Sequence, residues 1–371
     1  MKEFNFFSPV KIKFGSGEAK KLEQTIKELG FSKGILICDK LFANNGLADN
    51  IRKNCPSIIA TFSDITPNPL LQEVRNAAKL MKEKEVDFAI ALGGGSSIDL
   101  AKFACSAVYG ESDVAEYFYK RAIFSEKHIP LIAIPTTAGT GSEVTSVSVC
   151  NDEVLMIKAP LLCNNFYPFM AIIDPELTIS VPPFITATTG LDAMSHALEA
   201  YWSNGSQPIC DILAISALCH MFPNIKKAFD NGKDLSAREE MSLGSLLAGL
   251  SFAIPKTAGC HGCSYGLSNN YHLCHGEACA FTLDSFIRIN STVLPDKMDF
   301  LAKSLGFENT DQLADKVMEL KKYFGLKTTL GDIGAKSIDK LSKDCSEHIA
   351  MKNNPILLSP SQMKDLFEKL R

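Results

Sequence analysis

The sequence predicts an α/β N-terminal domain followed by an all-α C-terminal one, and three observations carry that reading. Short β-rich apolar runs alternate with amphipathic helical stretches over the first half. The chain is then broken at Asp174-Pro175 and Val181-Pro182-Pro183, and from about Thr186 the apolar period is helical nearly to Arg371. A length of 371 residues suits two domains, placed at residues 1–180 and 181–371.

In chain order, Glu18–Leu29 sets Leu22, Ile26 and Leu29 on one helical face, and Gly34–Cys38 (GILIC) is the first strand. Ser57–Phe62 (SIIATF) is the next strand. Leu70–Glu83 is a helix aligning Leu71, Val74, Ala78 and Met81, and the charge run Lys82–Glu85 reads as its solvated end. Asp87–Leu92 (DFAIAL) and Pro130–Ile134 (PLIAI) are further strands, of the kind buried on both faces in a parallel sheet. The second half reads as successive helices, with Gly190–Tyr201, Asp211–Phe229, Ala237–Phe252, Thr310–Tyr323 and Ser361–Leu370 among them. No internal repeat or low-complexity linker is present.

Hydrophobic residues make up 46% and charged residues 22% of the chain, which excludes a disordered, collagen-like or repeat-dominated class. A net charge of −4 gives no basic footprint for nucleic acid or an anionic membrane. The 12 cysteines, several of them in apolar segments (Cys105, Cys150, Cys210, Cys219), form no stapled frame and read as reduced thiols. Met1–Lys13 lacks the apolar region of a secretory leader, and no apolar run reaches about 18 residues. The expectation is a soluble cytoplasmic protein.

Gly93-Gly94-Gly95-Ser96-Ser97-Ile98-Asp99 follows the strand Asp87–Leu92 and leads into a helix at Leu100–Val108. Glycines at such a turn let backbone N–H groups approach a phosphate, and the helix N-terminus adds its positive dipole end. A tight turn with Ser97 or Asp99 as N-cap is the plainer reading, and the motif is not G-x-G-x-x-G. A second loop, Pro135–Thr145, follows the next strand and offers Thr136, Thr137, Thr140 and Ser142 beside Gly139 and Gly141. Two polar, glycine-bearing loops at neighbouring strand ends point to nucleotide binding. Asp39, closing the first strand, would accept from a ribose and repel a 2′-phosphate, favouring NAD over NADP; a turn-forming Asp before a helix is the alternative.

In the helical half, Asp192 and His196 are four residues apart and project from one face. His261 and His275 follow, each with a glycine directly after it, Gly262 and Gly276, which suggests space for a substrate and a nicotinamide. One carboxylate and three imidazoles suit Fe²⁺ or Zn²⁺ with a coordination position left open. A sulfur site from Cys260, Cys263, Cys274 and Cys279 competes weakly, because its second pair lacks C-x₂-C spacing. His272 reads as a helix-surface or supporting histidine.

With these residues in hand, the chain resembles the iron-containing (group III) alcohol dehydrogenase family over most of its length. The match is strongest at Gly93–Asp99, Pro135–Thr145, Asp174–Leu177, Gly190–Glu199 and the segment from His261 to Gly276. The resemblance implies a dinucleotide-binding α/β domain, an all-α metal-binding domain and a cleft between them. It implies metal ligands at Asp192, His196, His261 and His275, NAD as cofactor, and a homo-oligomer of at least two chains. Gly93, Gly94, Gly95, Ser96, Asp99, Thr136, Thr137, Thr140 and Ser142 become cofactor-binding candidates. So do Lys158, 174 − 158 = 16 residues before Asp174, and Asn68 in Thr66-Pro67-Asn68-Pro69. The implied reaction is metal-dependent hydride transfer between the nicotinamide and a small primary alcohol or aldehyde.

The chain also departs from the family. Where a histidine often stands four residues after the first of the paired histidines, this sequence has Tyr265, a catalytic candidate but a poor base near neutrality without help. Cys274 replaces a proline and brings a thiol next to the last ligand. Lys256-Thr257-Ala258, Ser264-Tyr265 and His275–Leu283 look like the phosphonoacetaldehyde reductase branch, in which Lys256 or Arg288 would meet an anionic head. The alternatives are a dehydroquinate-synthase-like lyase or polyol-phosphate dehydrogenase of the same two-domain plan, a metallohydrolase, and a non-catalytic sensor. None accounts as well for both the Pro135–Thr145 loop and the Asp192/His196 spacing.

Overall fold

A computed structural model describes residues 3–155, 157–335 and 337–371. It divides into two compact units. One comprises Ser8–Thr137 and Gly141–Thr178; the other comprises residues 3–7, Ala138–Thr140 and Ile179–Arg371.

The first unit is an α/β layer. Its strands are β1 (Lys11–Phe14), β2 (Gly34–Cys38), β3 (Ile58–Phe62), β4 (Phe88–Gly93), β5 (Leu131–Pro135), β6 (Val147–Asp152), β7 (Ile157–Leu162) and β8 (Met170–Ile173). Its helices are α1 (Leu22–Glu28), α2 (Lys40–Asn44), α3 (Leu47–Asn54), α4 (Leu71–Glu83), α5 (Gly95–Ala107) and α6 (Val114–Phe118). Six strands form one parallel sheet in the order β1-β8-β5-β4-β2-β3. Alternate residues feed two cores. Ile35, Ile37, Ala89 and Ala91 pack with residues of α4 and α5, whereas Leu36, Cys38, Ile90 and Leu92 pack with Leu22, Ile26 and Ala48 of α1 and α3. That is how a run apolar at every position is used up on both faces of a sheet.

The four strands expected from the sequence are therefore present within a residue of their ends. The strands it missed are short or exposed. β1 is an edge strand reading Lys-Ile-Lys-Phe with no buried residue, β8 has four residues, and β6 and β7 form a separate antiparallel hairpin. The chain leaves β2 toward β3 on one side and β4 toward β5 on the other, so the order reverses between β2 and β4. In open α/β sheets a ligand binds at the carboxyl ends of such a pair.

The second unit is helical: α7 (Pro183–Trp202), α8 (Pro208–Asp230), α9 (Leu235–Phe252), α10 (Gly259–Tyr271), α11 (His275–Phe281), α12 (Leu283–Ser291), α13 (Pro295–Ser304), α14 (Thr310–Tyr323), α15 (Asp339–Glu347) and α16 (Pro360–Glu368). Pro183 opens α7 at a position where its missing N–H costs nothing. From Gly190 to Trp202 every residue of α7 is buried. Gly190 admits Ile225 of α8 and Met241 of α9. Gly276 is tighter still, since a Cβ there would lie 2.1 Å from the Thr188 carbonyl oxygen.

By length and composition alone α8 could cross a membrane. Here its Cys210, Ala214, Ala217, Leu218, Met221 and Ile225 are buried in the helical core, and its Asp211 is ion-paired to Lys297 at 2.8 Å.

Candidate functional site

In the α/β unit, β4 and β5 run in register, Gly93 opposite Pro135, so the two loops leave the sheet side by side. The Thr136 N–H donates to the Gly93 carbonyl at 3.0 Å and joins them. Gly93 has a φ of +155°, and a Cβ on it would fall 2.4 Å from Ser97 Oγ, so only glycine fits. Gly94 stands against Thr137.

Helix α5 begins at Gly95, not at Leu100, which puts its unpaired first-turn amides in the glycine motif itself. The N-cap is Gly94, with no side chain capping, so neither Ser97 nor Asp99 serves in that role. Asp99 instead accepts from Ser142 Oγ at 2.5 Å and from the Val149 N–H at 2.9 Å. Lys102, buried, donates to Ser142 Oγ, Thr145 Oγ1 and the Val147 carbonyl at 2.8, 3.3 and 2.8 Å.

Asn68 lies against the glycine motif. Its φ is +57°, and its N–H donates to Ser96 Oγ at 3.2 Å. Its carbonyl accepts from Asn151, which pairs across the β6–β7 hairpin with Lys158. The charge of Lys158 acts on Asp99. Asp39 caps α2 through an Oδ1 bond from the Leu41 N–H at 2.7 Å, as a turn-forming Asp does. Thr140 falls in the Ala138–Thr140 segment that clusters with the helical unit. Glu143, in the same loop, is buried, and burial pushes its carboxyl up to about 7.

In the helical unit, α7, α10 and α11 bring a carboxylate and three imidazoles together. Asp192 Oδ1 is 3.5 Å from His261 Nε2 and 3.7 Å from His275 Nε2. His196 Nε2 is 3.0 Å from His261 Nε2. The His196 ring stacks on Phe252, the last residue of α9, with centroids 4.1 Å apart. Asp192 Oδ1 is buried without a hydrogen-bond partner among the described residues. A carboxylate oxygen so placed is costly unless a cation or proton donor completes it.

Glu199, fully buried, accepts from the Cys260 N–H and the His261 N–H at 2.5 and 3.2 Å and is paired with His261 Nδ1. It therefore sets the His261 ring with Nε2 toward Asp192, the arrangement that orients metal-binding histidines. Burial pushes the His196 imidazole down to about 4, which keeps it neutral. Burial alone would raise the Asp192 carboxyl, but His196 and His275 outweigh it and hold it well below the usual range.

One further donor joins this cluster. Single donor atoms of Asp192, His261, His275 and Cys279 all lie within 4.8 Å of one another. The sulfur beside the histidines is thus that of Cys279, whereas Cys274 is the exposed N-cap residue of α11. Burial would raise the Cys279 thiol, yet His261 and His275 bring it below its ordinary value. Cys263 faces Met363 at 3.9 Å, and no four-cysteine group forms among the described residues. Gly262 and Gly276 serve packing rather than substrate room, against Met351 and Thr188 respectively.

His272 is exposed at the C-terminus of α10, with a φ of +58°. Tyr265 stacks on His348, centroids 4.3 Å apart. Arg288 is held by Asp311 and Asp315 at 2.5 and 2.6 Å. The sequence reading gave Glu199 no role of its own and placed Cys279 only in the competing sulfur site, although each is spaced along a helix to share a face with a chosen ligand. His348 lies far along the chain and carries no local signal.

The chain belongs to the iron-containing alcohol dehydrogenase family, an oxidoreductase family. The model for iron-containing alcohol dehydrogenase matches residues 9–175, and that for the C-terminal part of the family matches residues 186–371. Among curated relatives, the NAD-dependent methanol dehydrogenase of Bacillus methanolicus is 30% identical over 365 residues, covering 95% of each chain. The 1-propanol dehydrogenase PduQ of Salmonella typhimurium is 38% identical over 276 residues, 73% of this chain and 71% of that one. Among solved structures, sulfoacetaldehyde reductase from Bifidobacterium kashiwanohense in complex with NAD⁺ superposes with a TM-score of 0.97 at 37% identity, covering 100% of this chain and 99% of that one.

Proposed function

We propose that this enzyme is a metal-dependent, NAD(H)-linked reductase of a small aldehyde with an anionic head, a sulfonate or a phosphonate, acting in the cytoplasm as a homo-oligomer. The observation that carries the metal assignment is the buried, unpartnered Asp192 Oδ1 ringed by imidazole nitrogens. Asp192, His196, His261 and His275 would hold the ion, Fe²⁺ by family and Zn²⁺ by an equally suitable donor set. A divalent ion held there supplies Lewis acidity toward a carbonyl oxygen.

The rest follows from the chain's own residues. Glu199 keeps His261 in one tautomer and orientation. Gly93–Gly95, Ser96, Thr136 and Thr137 present amides and hydroxyls for a pyrophosphate, while Asp99, Ser142 and Lys102 position the second loop. Asn68 and Lys158 flank that surface, and Asp39, with Oδ1 on the Leu41 N–H, keeps Oδ2 for a ribose hydroxyl. Tyr265 and His348 are the proton-handling pair. His348 Nδ1 accepts the Ala350 N–H at 3.2 Å, so Nε2 carries the proton of the neutral ring, and burial followed by His261 holds its pKa below the ordinary value.

The anionic head rests on the relative that reduces sulfoacetaldehyde and on Lys256. Lys256 occupies the turn between Phe252, which stacks on His196, and α10, which carries His261. Its φ is +68°, the flanking carbonyls of Pro255 and Thr257 are both held by Asn353 Nδ2, at 2.6 and 3.0 Å, and its Nζ donates to the Ala253 carbonyl at 2.5 Å, a single neutral acceptor that an anionic head would displace. Arg288, committed to two aspartates, is not the anion's partner.

The test is NADH consumption by protein reconstituted anaerobically with Fe²⁺ or Zn²⁺, using sulfoacetaldehyde, phosphonoacetaldehyde and a neutral aldehyde of similar size. Preference for an anionic aldehyde, with KM raised selectively in Lys256→Gln, is expected. Turnover of neutral aldehydes alone would remove the anionic head, and absence of metal-dependent NADH consumption would overturn the reading.

A further inference from the structure

We infer that Cys279 is itself a metal ligand, so that the ion is held by a thiolate together with Asp192 and the imidazoles. The inference rests on the metal reading above and adds a residue that the family resemblance does not supply. Two observations carry it. Cys279 Sγ lies 3.8 Å from His275 Nε2 and belongs to the group of four donors within 4.8 Å of one another. Independently, Asp192 Oδ1, almost wholly buried and without a hydrogen-bond partner among the described residues, points into that same group.

The geometry suits a small tetrahedral ion. With nitrogen or oxygen ligands at about 2.1 Å and sulfur at about 2.3 Å, neighbouring donors stand about 3.4 to 3.6 Å apart. Three of the six separations, 3.5, 3.7 and 3.8 Å, are near these values, and all six lie within 4.8 Å, so the donors close in as the ion binds. The helix explains the placement. Cys279 follows His275 by four residues on α11, just as His196 follows Asp192 by four on α7, so each helix presents two donors from one face. The Cys279 side chain is fully buried, with its sulfur facing the rings of His275 and His261.

The chemistry changes with the sulfur. Binding the ion replaces the thiol proton, which leaves to solvent or buffer, and sets two negative ligands, Asp192 and Cys279, against a divalent charge. Thiolate is a soft donor, so the site shifts toward Zn²⁺ and away from Fe²⁺. His196, with its Nε2 3.0 Å from His261 Nε2, is a fifth donor and would expand the tetrahedral set to the five-coordinate one that zinc also takes.

The full-length protein is loaded with Co²⁺, its metal content is measured, and its near-ultraviolet spectrum is recorded; the Zn²⁺ form is examined by X-ray absorption. One ion per chain, a thiolate-to-cobalt charge-transfer band, and a sulfur neighbour at about 2.3 Å from zinc are expected. Cys279→Ser should lose band and sulfur and bind Zn²⁺ at least about tenfold more weakly. Cys219→Ser, at an exposed thiol on α8, should keep all three features. If one Co²⁺ binds without the band, Cys279 is not a ligand and the Asp–His site stands. If no metal binds, this inference and the metal reading fail together. Should Cys279→Ser fail to fold, the wild-type zinc spectrum decides alone.

Discussion

The α/β unit and the helical unit build their sites from different material. At the ends of β4 and β5, the groups on offer are backbone amides of Gly94 and Gly95 and the hydroxyls of Thr136 and Thr137, placed by strand register. In the helical unit the groups are side chains, Asp192, His196, His261, His275 and Cys279, placed by helix periodicity and by glycines that let α7 and α11 touch. A backbone site tolerates exchange of most side chains but not of its glycines. A side-chain cluster depends on each donor and on what orients it.

That contrast can be broken by substitution, starting where the effect is greatest. His261→Ala should abolish metal binding and nearly all turnover while leaving NAD affinity in place, measured by metal analysis beside a nucleotide titration. Gly276→Ala drives a Cβ into the Thr188 carbonyl and should destabilise the helical unit by about 3 kcal/mol in thermal or denaturant unfolding. Glu199→Gln keeps the shape but weakens the hold on His261, and metal affinity should fall roughly 10- to 100-fold in a chelator competition.

Glu143 gives the α/β loop a pH signature. Its folded pKa is raised from the ordinary 4.5 to about 7, so the folded chain binds the extra proton between those values. Stability should therefore fall as pH rises from about 4.5 to about 7, by on the order of 2 kcal/mol, and Glu143→Gln should flatten that slope. Smallest of all, Arg288→Gln removes only exposed ion pairs, costing below about 1 kcal/mol with no selective loss toward anionic aldehydes.

The same contrast explains which features the amino-acid order alone reveals. Strands buried on both faces announce themselves as continuous apolar runs, which is why β2, β4 and β5 are legible; the edge strand β3 is legible from its Ile-Ile-Ala-Thr-Phe composition. The β6–β7 hairpin is not, because β6 buries the polar Ser148 and Asp152 beside Cys150, and β7 is mostly exposed or half-buried. Asp192 and His196 are legible as an i,i+4 pair. His275 and Cys279 have the same spacing, but a cysteine among twelve reads as core until the fold sets its sulfur against two imidazoles. Glycines are ambiguous for the opposite reason. Gly262 and Gly276 look like room for a ligand, yet their neighbours are Met351 and Thr188. Asp99 and Ser142, expected at the cofactor, are also joined by a hydrogen bond that pattern alone does not reveal. The stacking of Tyr265 on His348 joins residues 348 − 265 = 83 apart and leaves no trace in local pattern.

The most direct test of the account measures bound divalent metal and NADH-linked aldehyde reduction together, in the wild-type chain and in Asp192→Ala, with circular dichroism confirming that both are folded. One ion per chain and metal-dependent turnover are expected in the wild type, and loss of both in the variant. A folded Asp192→Ala protein that retains its ion and reduces aldehydes at the wild-type rate would contradict that expectation.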